Sequence, residues 1–569
     1  MSRRAAGAAV LLLFVVLTAA MTWPQITSLS TRVYDSDDPL LSIWRISWIA
    51  HILPTSPGDV LNGNIFYPEP RTLAYTDSAL LEGLAAAPLI WLGASRVTTY
   101  NVALLLSIAL SGWAMWRYAL YMTGHHWGAV LAGITFAFVP FRFDHFHHLE
   151  LQATIFLPLT LLFFERALDS GSRRDSWLMA AAFVAQVYSC IYYSIFLATV
   201  LMPIAAVRIW LLPAERRVLL LRAIAPAAIV ALVVVAPYGY AYALNRATLG
   251  ERLDRDILLY SATWPNYFAT TPENVIHGEW SAGFGQSERF LFPGFLSLAL
   301  MAGAFWRFDR RPSTSLGAAL SPSSLDPARD DLELVERSKG RRATLVAIGG
   351  MAFIISLGLN SPFYEPLRAI LLPYRGLRAP ARAAILLYLA IAALGAYGWA
   401  RLMRGRGKAI ETVAAVLMAI ALLLEYRTNM TKWLTLSEQP PEVYHWLATQ
   451  PRSVVAEVPF SRADRLDSIP DGLYMFNSTW HWQPIVNGYS GFYPKTFMEL
   501  AEHTKSFPDE HSMAYLKQRG VDLLVIHGGL LGPKAFGEMT AALLARDDLE
   551  AMAQFEESRG TDMVFRVRR

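Results

Sequence analysis

Between Arg222 and Arg246 the chain runs for 23 residues without an acidic or basic side chain. As a helix that stretch reaches about 35 Å, more than the roughly 30 Å of hydrocarbon in a bilayer. Within lipid each backbone N–H and C=O must be paired inside its own segment, so a run of this kind is a helix. Similar runs recur through the first three quarters of the sequence, and the candidate spans are 5–23, 97–120, 127–142, 151–168, 177–191, 192–212, 222–242, 292–306, 343–359, 382–400 and 409–426. Only 17% of residues are charged, against about 25% in soluble domains, and the mean hydropathy is +0.31. The chain lacks the polar surface to coat itself in water.

These features predict a polytopic α-helical membrane protein of about 11 spans, followed by a soluble α/β domain. The apolar stretch 79–93 contains Glu82, Gly83 and Pro88 and reads as a re-entrant or interfacial helix. Met-Ser-Arg-Arg and the apolar run after it could open a cleaved signal peptide. An uncleaved first span fits better, because the run ends in Met21-Thr22-Trp23-Pro24 without a small-x-small cleavage site.

With the N-terminus cytoplasmic, Arg3/Arg4, Arg166/Arg173/Arg174, Arg208/Arg216/Arg217/Arg222, Arg401/Arg404/Arg406/Lys408 and the basic segment 307–342 all fall on the inner side. Segment 307–342 has the composition of a disordered linker. The outer face then receives loops 24–96, 142–150, 243–291 and 360–381, and the tail 427–569. The net charge of +4 is small and uneven, so it speaks to topology and not to nucleic acid. A single cysteine, Cys190, excludes an intrachain disulfide and a cysteine-based metal site. In the tail, Val454–Pro459, Gly520–Ile526 and Met563–Val567 read as strands, 493–505 and 510–519 as helices, and no Gly-rich phosphate loop follows a strand.

Three outer features could carry chemistry. After span 1 come Asp35, Asp37 and Asp38, then a predicted helix Leu40–Leu53 with Trp44 and Trp48 one turn apart as interface anchors. The carboxylates are either a solvated acidic cap or a general base presented at the bilayer edge. The second outer loop, Phe141–Glu150, holds His145, His147 and His148 beside Asp144 and Glu150. On a helix Asp144 and His148 stand at i,i+4, and His145 and His148 at i,i+3, a set that could face a divalent metal or a phosphate; a polar interface role fits the same residues. Third, Arg368, Arg375, Arg378 and Arg382 sit on the outer side with only Glu365 near them in sequence. That placement violates the positive-inside bias. Either the topology is wrong or the arginines have an anionic partner, and paired guanidinium donors suit phosphate.

Asp38-Pro-Leu-Leu-Ser-Ile-Trp44, Asn64-Ile-Phe-Tyr-Pro68, Pro140-Phe-Arg142, His145-x-x-His148-Leu-x-Leu-Gln152, Arg378-Ala-Pro-Ala-Arg382 and Asn487-Gly-Tyr-Ser-Gly-Phe492 look like a set of largely uncharacterised bacterial proteins. Their order and topology resemble the GT-C superfamily of membrane glycosyltransferases, which includes protein O-mannosyltransferases and aminoarabinose transferases. The resemblance covers nearly the whole chain. It implies a transmembrane core of about seven helices and transfer from a polyprenyl-phosphate sugar to an acceptor glycan, lipid or protein on the outer face of a bacterial plasma membrane. It places the catalytic carboxylate at Asp38, with Asp37 close behind. Support of donor phosphate or metal (Mg or Mn) falls on Arg142, Asp144, His145 and His148. The paired Asp-Glu of some members is absent.

The mechanism expected is inverting, with Asp38 as base, Arg378 and Arg382 on the leaving phosphate, and a metal near Asp144 and His148. Trp480-His-Trp482 and Asn487-Gly-Tyr489 suit sugar stacking or a domain core. The rivals are a transporter or flippase of a lipid-linked saccharide, for which no internal repeat is visible, and a non-catalytic scaffold with a degenerate transferase core.

Overall fold

Among the described residues, eight helices are long and apolar enough to cross a bilayer: Arg4–Met21, Arg96–Thr123, His126–Asp144, Leu149–Ser170, Ile191–Trp210, Ala214–Leu249, Pro380–Leu402 and Lys408–Tyr426. The structure, a computed structural model, describes residues 3–306, 327–437, 439–462, 469–557 and 560–568. Side chains such as Leu232 (70% exposed), Val233 (65%) and Leu417 (62%) point outward from these helices. Exposed apolar area of that kind is disfavoured in water and neutral in lipid. The chain is a helical membrane protein.

Hydropathy predicts about 11 spans, and three of those runs do not lie in a described helix that meets both length and apolar composition. Run 177–191 belongs to a 17-residue helix, Arg173–Ser189. Run 292–306 forms only nine helical residues, Phe295–Gly303, because Gly294 turns at φ +91° before it and the Ala304 carbonyl after it is taken by Arg342 at 2.8 Å and Arg401 at 2.5 Å. Run 343–359 ends the helix Pro327–Ser356. That helix also corrects the linker: residues 307–326 lie outside the described residues, but 327–342 are helical. Ala, Leu, Glu, Arg and Lys favour the helix there, and Pro327 stands at its first position.

Polar pairs join the loops at one end of the bundle. Arg208 meets Glu165 at 2.7 Å, Arg341 meets Asp169, and His125 meets Glu411 at 3.2 Å. This is the end bearing the basic clusters assigned to the inner side. Within the bundle, Phe295–Gly303 and Ala384–Leu402 touch backbone to backbone, since a Cβ on Gly398 would lie 1.8 Å from the Leu300 carbonyl oxygen. Such close approach requires glycine. Gly398→Ala is therefore expected to lower stability by about 1–3 kcal/mol, read as a fall in the thermal midpoint of detergent-purified protein; an unchanged midpoint would mean that the two helices can separate freely.

The helix Leu80–Trp91 has 12 residues, about 18 Å, too short to cross. It lies on the helix Asp37–Ile52, where a Cβ on Gly83 would meet Ile49 at 2.3 Å and Trp91 donates to the Ala50 carbonyl at 2.9 Å. Asp37–Ile52 begins three residues before the predicted Leu40, and its tryptophans are not interface anchors. Trp44 and Trp48 are buried and donate to Asn64 Oδ1 and the Val60 carbonyl, each at 2.9 Å.

Those tryptophans enter a hydrophobic core shared with the tail, which also takes Ile65, Phe66, Val455, Leu524 and Phe565. The α/β unit is thus completed by the first large loop. β1 (Arg32–Tyr34) pairs antiparallel with β2 (Trp433–Thr435). The main sheet has the order β3-β4-β6-β5, from β3 (Val455–Val458), β4 (Leu523–His527), β5 (Leu549–Glu557) and β6 (Gly560–Val567), with β3 and β4 parallel. β3, β4 and β6 match the three predicted strands. β5 was missed because Leu-Glu-Ala-Met-Ala-Gln has helical propensity, and pairing to β6 overrides it.

At the carboxyl ends of β3 and β4, His527 is held between Glu457 at 2.9 Å and Asp562 at 3.1 Å, with Tyr444 and Tyr474 stacked on its ring. Burial disfavours its charge, but hydrogen bonds to Asp562 and Glu457 outweigh this and push its pKa up to about 9. A histidine raised in the folded state stabilises fully below its unfolded pKa, about 6.5, and that contribution disappears as pH rises through 9. The thermal midpoint is expected to fall across pH 6.5–9, with a shallower slope in His527→Gln. Equal slopes for both proteins would remove His527 as the cause.

Candidate active site

The acidic triplet is placed by the end of β1. Asp35 extends the β1–β2 ladder by donating to the Lys432 carbonyl at 2.7 Å. It then adopts a left-handed conformation, φ 75°, one that Asp tolerates better than most residues. The chain turns there, and Asp37 and Asp38 fall in the first turn of Asp37–Ile52, where the helix dipole favours carboxylates.

The histidine loop is not one helix. The helix Pro140–Asp144 stops at Asp144, and the next, Leu149–Gln152, starts after His148. The predicted i,i+4 face of Asp144 and His148 therefore does not form. Arg142 braces the loop: it donates to Gln152 Oε1 at 3.1 Å, the Gln152 carbonyl at 2.8 Å and Thr154 Oγ1 at 2.6 Å. Gln152 returns two bonds, to the Arg142 and His145 carbonyls at 2.9 and 2.8 Å. Arg45 ties the loop to the acidic helix through Glu150 at 2.9 Å.

This scaffold brings Asp38 and His148 together. Asp38 Oδ2 lies 3.5 Å from His148 Nδ1 and 3.8 Å from His147 Nε2. Behind His148 stands Glu288, a residue with φ 69° whose Oε1 is 3.8 Å from His148 Nε2. Glu288 is a hub. Arg382 grips both its oxygens, with Nε to Oε2 at 2.8 Å, His145 Nε2 lies 2.9 Å from Oε2, and its backbone N–H donates to Asp144 Oδ2 at 2.8 Å. Burial would raise the Glu288 carboxyl, but Arg382 and His145 hold it well below the usual carboxylate range. His145 has acceptors at both nitrogens, the Phe141 carbonyl at Nδ1 and Glu288 at Nε2, so it is an imidazolium. Burial opposes that charge, and Glu288 outweighs it. His148 is the opposite case: burial, then His147 and Arg382, push its pKa well below 6.5. A neutral imidazole thus stands beside Asp38.

Loop 243–291 supplies carboxylates that the sequence distance had hidden. Arg368 pairs with Asp254 at 2.5 Å, Arg375 with Glu251 at 3.4 Å and Arg382 with Glu288. Three of the four arginines are thus neutralised, which corrects the expectation that only Glu365 lay near them. Arg378 differs. Among the described residues no carboxylate pairs with it; it lies over the Tyr260 ring at 4.8 Å, and its backbone N–H donates to Tyr192 Oη at 2.9 Å. Arg252, not singled out from the sequence, has a buried Nε with no hydrogen-bond partner among the described residues. From the tail, Tyr489 Oη comes within 3.4 Å of Asp38 Oδ1. Trp480 and Trp482 instead pack under Arg96 and His51.

Among the described residues one carboxylate-histidine group has metal-ligand spacing: Asp38, His147 and His148, with ligand atoms within 4.8 Å of one another. It differs from the expected Asp144–His148 pair; Asp144 Oδ2 accepts from the Glu288 backbone N–H. One carboxylate and two imidazoles suit Mn better than Mg, which prefers oxygen; the buried His147 Nδ1 has no hydrogen-bond partner. Glu288 had no sequence signal, because its partners lie about 94 and 143 residues away.

The chain matches the family model described as Domain of unknown function (DUF6311) over residues 57–425. No curated protein matches it. Among solved structures it is similar to the Archaeoglobus fulgidus oligosaccharyltransferase tethered with an acceptor peptide containing the NVT sequon, at 12% identity and TM-score 0.46, over 98% of this chain and 74% of that one. The apo form of that oligosaccharyltransferase matches at 11% identity and TM-score 0.41, over 91% and 69%. ArnT from Cupriavidus metallidurans in the apo state matches at 14% identity and TM-score 0.40, over 99% and 98%.

Proposed function

We propose, from the premise that this chain belongs to the family described as Domain of unknown function (DUF6311), that it is a membrane glycosyltransferase moving a sugar from a polyprenyl phosphate to an acceptor hydroxyl. The observation that carries this is the meeting of Asp38 with His147 and His148 at 3.5–3.8 Å, in the motifs that resemble GT-C enzymes. Arg378, with no carboxylate partner among the described residues, supplies the cation that a phosphate needs.

Asp38 takes the proton as the acceptor oxygen attacks the anomeric carbon. The bond from that carbon to the phosphate oxygen breaks, and the phosphate leaves with the electron pair. A single displacement inverts the configuration. Arg378, with Arg382 held by Glu288, stabilises the charge that develops on the leaving phosphate. A divalent ion held by Asp38, His147 and His148 would supply Lewis-acid polarisation of an oxygen at the same place. The helical bundle then sits in a bacterial plasma membrane, with the basic end cytoplasmic and residues 427–569 outside; Leu80–Trp91 dips without crossing.

The test is transfer of label from a radiolabelled polyprenyl-phosphate sugar to cell-envelope acceptors by reconstituted protein. Transfer is expected from the wild type and not from Asp38→Asn. Equal transfer by both would remove Asp38 as base; folded wild-type protein that moves no label would remove the activity.

A further inference from the structure

The segment Asn487–Phe492 is held at both ends and reaches into the site between them. Asn487 forms a reciprocal pair with the backbone of Glu457 in β3: its Oδ1 accepts from Glu457 N–H at 2.8 Å, and its Nδ2 donates to the Glu457 carbonyl at 3.0 Å. The Gly488 N–H donates to Asp471 Oδ1 at 3.3 Å. The backbone there runs against the first loop, since a Cβ on Gly488 would lie 2.7 Å from the Phe66 ring. At the far end, Arg252 lies 3.2 Å over the Phe492 ring and donates to the Gly491 carbonyl at 2.5 Å. From this strap Tyr489 puts its hydroxyl 3.4 Å from Asp38 Oδ1. A phenol carries one O–H donor, and a carboxylate oxygen accepts it.

A carboxylate on a short side chain turns readily about its last torsion, whose preference is broad. Tethering Oδ1 leaves Oδ2 in one place, the place where His148 and His147 lie at 3.5 and 3.8 Å. We propose that Tyr489 is a positioning residue of the transfer reaction: its O–H fixes the Asp38 carboxylate so that Oδ2 meets the acceptor hydroxyl. The inference rests on Asp38 as base. It makes the C-terminal unit part of the catalytic centre and gives the Asn487-Gly-Tyr motif a task other than sugar stacking.

The test uses the full chain. Tyr489→Phe deletes only the hydroxyl, and kcat is expected to fall about 10–100-fold, with the donor KM within about twofold and the thermal midpoint unchanged. Gly488→Ala, which pushes the strap off Phe66, lowers kcat to a similar degree. In an Asp38→Asn background Tyr489→Phe adds nothing further, because the two act as one unit. Independently of transfer, Mn affinity measured by electron paramagnetic resonance falls about 10-fold in Tyr489→Phe. Wild-type kcat and Mn affinity in Tyr489→Phe overturn the inference. So does a loss that is additive with Asp38→Asn, since that is the mark of a general structural effect. An active Asp38→Asn protein instead removes the base and leaves the Tyr489 contact without a catalytic role.

Discussion

Asp38→Asn is expected to reduce turnover about 10²–10⁴-fold, the usual contribution of a positioned proton acceptor, while the protein stays folded. Asn matches Asp in shape and keeps an oxygen that can accept from Tyr489, so the strap is retained. It still sits in the first turn of its helix, where Asn lacks only a dipole contribution of about 0.3–1 kcal/mol. What disappears is the ability to hold a proton. Donor affinity should change little, because the phosphate contacts are assigned to Arg378 and Arg382. The signature is thus a lowered kcat with a preserved donor KM. Asp37→Asn is the control: Asp37 Oδ1 accepts from Ser36 Oγ at 3.1 Å, and Asp37 is not in the group with His147 and His148. Greater loss at Asp37 than at Asp38 would transfer the base to Asp37.

Glu288→Ala is expected to be the most destabilising single change, about 3–5 kcal/mol. The side chain is buried, and so are Arg382 and His145, which it neutralises. Removing it strands two largely buried cations, and their desolvation is no longer offset. The fall in thermal midpoint should be partly reversed by Arg382→Met, which removes one of the stranded charges. Glu288→Gln should fall between wild type and Ala, since the amide accepts a hydrogen bond but carries no charge. A midpoint for Glu288→Ala within a degree of the wild type would show that the hub does not bear on folding.

Which parts of this protein could be read from the sequence follows from the range of the forces involved. Spans such as Ala214–Leu249 are local: apolar composition over some 20 residues is enough to reveal them. β3 and β4 were legible for the same reason. The partners of Arg382 and His145 were not, because Glu288 comes from a loop without a motif and turns inward only through a left-handed backbone. Trp44 and Trp48 have the spacing of interface anchors, but the surface that buries them comes from the tail. The cluster at Asp38 was half legible: its histidines were noticed, and Asp144 was set beside them because a continuous helix was assumed where the chain turns at His145–His148.

The pairing of the first loop with the tail also has a consequence in time. Asn64 donates to the Gln483 carbonyl, 419 positions further along the chain, and its neighbours continue that ladder to Ile485 and Asn487. At ribosomal rates of about 5–20 residues per second, a gap of that size corresponds to roughly 20–80 s of synthesis. During that interval the membrane helices can insert and pack, while the edge at Asn64–Tyr67 waits without its partner. Asp38 likewise lacks Tyr489 until that part of the tail has been made. The surroundings of Asp38 are therefore completed late, in one docking step of the tail against a first loop already seated at the bilayer.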